Sequence, residues 1–152
     1  MEEQKARYYI DERWFTENNK SFRTFAQARM CPQCRKKLGT EVQERVPTVD
    51  ARSRVIYEVR AVPFGSNPTS EIRKHCSKES GYITAETPLL EALFRVFLAN
   101  GNQPIDAEQI QEQLATYVPP SEKPNGYRPE LLTRVLESPN NYGLRLFEMG
   151  QG

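Results

Sequence analysis

Between Leu89 and Ala99 the apolar residues Leu89, Leu90, Leu93, Phe94 and Phe97 recur at spacings of three and four, the stripe of an amphipathic helix. Thr87 and Pro88 precede it as N-cap and first-turn proline. Glu91 and Arg95 lie one turn apart on the other side, and Gly101 stands where the helix ends. Ile110, Leu114 and Val118 repeat the period in the next segment. Its start carries Asp106 as N-cap with Gln109 three residues on, and Ile105 and Ile110 hold the two positions of a hydrophobic staple. VPPSEKPNGY then interrupts the pattern as a polar loop. Pro129 opens a third helix with Leu131, Leu132, Val135 and Leu136 inside, and after the SPNNYG turn LRLFE (144–148) reads as a strand.

The first half follows a different pattern. RYYIDERWF (7–15) and RSRVIYEVRAV (52–62) are rich in β-branched and aromatic residues. In the second, Val55, Tyr57 and Val59 alternate with Ile56, Glu58 and Arg60, as in a strand with one drier face. SFRTFAQARM (21–30) predicts a short helix. Pro63, Gly65 and Pro68 mark a break, and TSEIRKHCSKE (69–79) predicts another helix, capped by Thr69 or Ser70. The fold class expected is α+β: a small metal-stabilised module with few strands over 1–84, and a three-helix module over 85–152.

TPLLEALFRVFLANG, QPIDAEQIQEQLATY, RPELLTRVLES and YGLRLFE together resemble a winged helix-turn-helix, through the order of their elements over 87–148. The resemblance implies that 128–137 is a recognition helix, with Arg128 and Arg134 able to contact nucleic acid, and that Asn140 to Gly143 belong to the wing. The chain offers one strand after the third helix where a wing is a hairpin.

Charge divides the chain in the same place. Residues 1–85 carry 16 Lys/Arg against 11 Asp/Glu (+5), and residues 86–152 carry 5 against 9 (−4), so the net +1 conceals a basic half and an acidic half. MEEQKARYYI lacks the apolar run of a secretory signal, and LLEALFRVFLA is too short and too charged to span a bilayer. A cytoplasmic protein with reduced thiols and no membrane partner is expected.

That compartment changes the reading of RMCPQCRKKLG (29–39). The chain contains Cys31, Cys34, Cys76 and His75 and no other Cys or His. Four such ligands are what one tetrahedral Zn²⁺ requires, and a CxxC spacing lets two thiolates of one turn reach the same ion. Neighbours on a regular helix point about 100° apart, so His75 and Cys76 can share an ion only where the helix ends. Failing that, Glu79 is the nearest substitute for the fourth ligand. Two other readings of the cysteines are a dithiol redox pair at Cys31 and Cys34, and buried thiols without a ligand.

A thiolate-rich site is closed. If His75 is a ligand, no imidazole remains for acid–base work, and HExxH, GxxxxGK, GxGxxG and GxSxG are absent from the sequence. The sequence therefore predicts a non-catalytic zinc-stabilised binding protein with no identified small-molecule substrate. Cations gather near the cysteines (Arg35, Lys36, Lys37, Arg52, Arg54, Arg60, Arg73, Lys74, Lys78), with aromatic residues Tyr8, Tyr9, Trp14, Phe15 and Tyr57 in the same half. This suits contact with DNA or RNA, chiefly through Arg35, Lys36, Lys37, Arg73 and Lys74, and a regulatory role. The alternative from another class is a protein–protein adaptor whose acidic helical half docks a basic partner.

Overall fold

A computed structural model describes residues 5–123 and 127–148 and is mixed helix and strand. In chain order the elements are β1 (Arg7–Ile10), α1 (Glu12–Glu17), α2 (Phe22–Gln27), α3 (Pro32–Lys36), β2 (Glu41–Val49), β3 (Val55–Pro63), α4 (Pro68–Lys74), a 3₁₀ turn (Cys76–Lys78), α5 (Leu89–Ala99), β4 (Ile105–Asp106), α6 (Ala107–Tyr117), α7 (Pro129–Glu137) and β5 (Leu144–Leu146). Residues 124–126 of the proline-rich loop lie outside the described residues.

Helix α5 is the hub. Ala92, Leu93, Phe94, Val96, Phe97 and Leu98 are all buried, so the helix is covered nearly all round and its expected stripe is only part of the contact. It starts at Leu89 after Pro88. Thr87 does not cap it, because the Thr87 hydroxyl accepts from Thr84 N–H, 2.9 Å away. The α6 start is as expected: Asp106 Oδ1 accepts from Gln109 N–H at 2.8 Å, Gln109 Oε1 accepts from Asp106 N–H at 2.9 Å, and Ile105 and Ile110 are both buried.

The stretch 7–15 is a strand only as far as Ile10. The Asp11 carboxylate caps α1 by accepting from Arg13 N–H at 3.0 Å, and α1 carries Trp14 and Phe15 into the core. β1 is the centre of a three-stranded antiparallel sheet, order β4-β1-β5, with Tyr8 opposite both Ile105 and Leu146. This sheet and the core cross the boundary drawn at 84/85, since Tyr8, Ile10, Phe15, Ile72, Phe94, Leu132 and Leu144 belong to one cluster. Where β4 is too short to pair with Ile10, Asn102 takes over. Its side chain accepts from Ile10 N–H at 2.8 Å and donates to Ile10 C=O at 2.9 Å.

A ring cluster of Phe15, Phe22, Phe25, Phe94 and Tyr142 joins α1, α2, α5 and the turn before β5. The Arg29 guanidinium stacks over Phe25 at 3.8 Å. It also donates to both Glu91 oxygens, at 2.8 and 2.9 Å, and Arg95 donates to Glu91 Oε2 at 2.8 Å. Burial alone would raise the Glu91 carboxyl, but hydrogen bonds from the two arginines outweigh it and hold the group below its usual range.

β2 and β3 form a separate antiparallel hairpin, Glu41 opposite Pro63 and Val49 opposite Val55. The alternation over 55–60 predicts a drier face on β3, and the sequence pattern predicts no strand at β2. In the structure Val55, Tyr57 and Val59 are exposed, as is Ile56 on the opposite face.

Candidate metal centre

The centre is built where two short helices meet. Ser21 caps α2, whose Ala26 packs in the core with Met30 after it, and this delivers the chain to Cys31. Cys31 has extended backbone and is the residue before α3, Pro32 is the first residue of α3, and Cys34 is one turn inside. From the other side comes α4, capped by Asn67, whose side chain accepts from Ser70 N–H; neither Thr69 nor Ser70 is the cap. The helix expected over 69–79 stops at Lys74. His75 leaves helical geometry (φ −129°, ψ −63°) and Cys76 opens the 3₁₀ turn. This break meets the condition for adjacent residues to share an ion.

The ligand atoms of Cys31, Cys34, His75 and Cys76 all lie within 4.8 Å of one another, so the four can hold a metal ion. His75 Nδ1 is 3.4 Å from each of Cys31 Sγ and Cys34 Sγ, and Cys31 N–H donates to Cys76 Sγ at 3.2 Å. Glu79 is outside the cluster. Its Oε1 lies 3.3 Å from His75 Nε2, on the far side of the ring. That contact selects the tautomer with its proton on Nε2, leaving the Nδ1 lone pair for an ion.

The three thiols differ in environment. Burial pushes Cys34 up to about 12 and also raises Cys76, in both cases with a contribution from the neighbouring thiol groups. At Cys31 burial acts in the same direction, but hydrogen bonds from Cys34, Cys76 and His75 prevail and lower it. A second or third thiolate is costly here without a cation, and a divalent ion supplies the compensating charge.

The predicted nucleic-acid residues divide into three places. Arg35, Lys36 and Lys37 are exposed on and just after α3, beside the centre. Arg73 and Lys74, at the end of α4, line an open cleft of about 910 Å³ together with Lys78, Asn102 and Arg23 of α2. One carboxylate, Glu12, is part of the same lining, and among the described residues none of the four cations is in an ion pair. Arg128 and Arg134 lie outside the cleft, exposed at the start of and along α7, whose solvent side also carries Glu130 and Glu137. Tyr8 donates a hydrogen bond to Glu137.

The aromatic residues offered for base stacking are mostly structural. Tyr8, Trp14 and Phe15 are buried, Tyr9 is half-buried with its ring edge-on to Phe147, and Tyr57 is the exposed one. Nothing in the sequence singled out Arg23; its position in the cleft follows from α2 packing beside α4. No helix among the described residues is long and apolar enough to cross a membrane. No family model, curated protein or solved structure matches the chain.

Proposed function

We propose that this protein is a non-catalytic binding protein, stabilised by a structural Zn²⁺, that grips the phosphate backbone of a nucleic acid in the basic cleft beside the metal centre. The donor set favours zinc: three sulfurs and one imidazole complete a tetrahedron and leave no open position for water. With His75 in that set, the chain keeps no imidazole for proton transfer.

The observation carrying the nucleic-acid reading is the cleft. Arg23, Arg73, Lys74 and Lys78 converge on it from α2, α4 and the 3₁₀ turn with one carboxylate among them, which concentrates positive potential in a concave surface. Arg35, Lys36 and Lys37 extend the basic surface around the centre. The helical half is winged-helix-like on this reading, with β1 serving as the strand that pairs with β5 in place of a wing hairpin. Its α7 has mixed charge, so Arg128 and Arg134 add to contacts made at the cleft. The adaptor reading has a specific observation of its own: Asp106, Glu108, Glu130 and Glu137 line a groove beside β1, α6 and α7, with Lys5 as its one cation among the described residues.

Fluorescence anisotropy with a short DNA duplex tests the proposal. Four phosphate contacts give a log–log salt slope of roughly −3.6, so affinity falls about 150-fold between roughly 50 and 200 mM salt. Arg23→Glu and Arg73→Glu should each abolish measurable binding, while Arg134→Ala should weaken it only a few-fold. An absence of binding to duplex DNA and to single-stranded RNA at low salt would refute the proposal. Binding indifferent to Arg23 and Arg73 would refute the cleft.

A further inference from the structure

The largest departure from ordinary surface chemistry is the β2–β3 hairpin. Among the large apolar residues described, the exposed ones are Val49, Val55, Ile56, Tyr57 and Val59 on this hairpin, and Leu146 elsewhere. Each strand has nine residues, about 30 Å at 3.4 Å per residue, and neither packs extensively on any other element. A two-stranded ribbon standing alone in water is marginal and leaves two unpaired edges open to other chains.

The two edges differ. Phe64 N–H donates to Thr40 C=O at 2.7 Å and Asp50 N–H to Arg54 C=O at 3.0 Å, so these ends are hydrogen-bonded pairs. Alternation along the register then turns the backbone groups of Arg45, Pro47 and Val49 outward from β2, and those of Val55, Tyr57, Val59 and Ala61 outward from β3. On the β2 edge Pro47 has no N–H and its ring blocks the approach, a usual way of blunting an edge. The β3 edge is uninterrupted from Val55 to Ala61.

We infer that two copies of this chain join through the outer edges of β3, antiparallel and centred on Val59, to form one four-stranded sheet β2-β3-β3-β2. Charge selects the register. Centred on Val59, Glu58 of each copy faces Arg60 of the other, in the closer non-hydrogen-bonded pairs. Shifted to Glu58, the two Glu58 carboxylates oppose each other. Shifted to Tyr57, Arg54 opposes Arg60. Glu58 and Arg60 already lie on one face of β3, 3.0 Å apart, with their side chains about half exposed. In this register Val59 flanks Val59 and Tyr57 flanks Ala61, which covers part of the apolar edge now in water.

Sedimentation velocity on the full metal-loaded chain at tens of micromolar tests the inference. The wild type should sediment as a dimer. Val59→Pro should give a monomer, because it removes the central outward N–H without touching the ladder inside the hairpin. Glu58→Arg alone and Arg60→Glu alone should each weaken dimerisation about tenfold, since each creates two like-charge pairs. An equimolar mixture of the two variants should restore dimers as mixed pairs, an outcome that a merely structural role for either residue does not produce. A monomeric wild type at about 100 μM would overturn the inference. So would a dimer insensitive to Val59→Pro and to both charge reversals. If Val59→Pro fails to fold, the mixture decides.

Discussion

Removing the ion should cost the protein a defined amount of stability. His75 is 41 residues beyond Cys34, and an ion shared between them closes that span into a loop. In the chain-entropy description of a cross-link, closing about 40 residues is worth about 4 kcal/mol, a large part of the 5–15 kcal/mol of an ordinary domain. The metal-free state is not further burdened by charge, because burial keeps Cys34 and Cys76 as neutral thiols, and such thiols pack as small apolar groups. The 4 kcal/mol is therefore a floor set by the cross-link, to which metal–ligand bonding adds. For a chain of this size it corresponds to a fall in Tm of roughly 8–16 °C. The assay is thermal unfolding with and without a zinc chelator under reducing conditions, with metal content by elemental analysis. Cys76→Ser supplies the control: it should lower Tm by itself and also abolish the response to chelator, so the two perturbations are strongly non-additive. Equal chelator sensitivity in wild type and Cys76→Ser, or a wild-type Tm unmoved by complete loss of metal, would refute the clamp.

Two further predictions concern the frame around the site. Glu91→Gln removes the anion between Arg29 and Arg95 and should cost about 2 kcal/mol in urea unfolding at neutral pH. Because the folded Glu91 is held below its ordinary value of 4.5, its stabilisation is full above that pH and is lost as pH falls through the folded value. The gap between wild type and Glu91→Gln should therefore narrow in acid, and a pH-independent gap would exclude the ion pair as its cause. Gly143 has φ +69° and an added Cβ would stand 2.8 Å from the Phe15 ring. Gly143→Ala should lower stability by about 2–3 kcal/mol in the same assay, and a neutral result would show that the turn before β5 relaxes freely.

What the sequence revealed depended on whether the signal was local. Helices α5, α6 and α7 were legible because period and caps are written within a dozen residues, as in the Asp106–Gln109 box. The metal cluster was legible for another reason: with three cysteines and one histidine in the chain, there was little choice of ligands. β2 has a weak local signal because only Val42, Val46 and Thr48 of EVQERVPTV are half-buried, and Glu44 on the same face and Pro47 in the run break the apolar alternation. The Asp11 cap lies within a run of aromatic residues that reads equally as strand or helix, which hides the start of α1. The central place of β1 and the pairing of Arg29 with Glu91, 62 residues away, are tertiary facts with no local trace.

The metal-ligand cluster, the basic cleft and the hairpin lie on or beside one loop. Between Cys34 and His75 the chain makes the hairpin and α4, so an ion held there would close a segment carrying β2, β3, Arg73 and Lys74. The root of the hairpin is anchored next to the centre: Leu38 follows α3 and packs against Gly65, and Gln27 of α2 donates to Gly65 C=O at 2.9 Å. Gly65 has φ +82°, a backbone conformation that L side chains rarely adopt, and a Cβ there would press on the Leu38 side chain, so a substitution at that junction is strained. Loss of a bound ion would free α3 from α4 and with them the anchored root of the ribbon, while α5 and the three-stranded sheet keep a core made largely of other residues. Metal removal should thus loosen the hairpin root and α4 before the helical half. Hydrogen exchange reads this directly: a larger acceleration at Arg35, Phe64 and His75 than at Val96 and Leu114 is the pattern that a local clamp adds to the global loss of stability, whereas equal acceleration across all five would mean that the ion acts only through the whole fold.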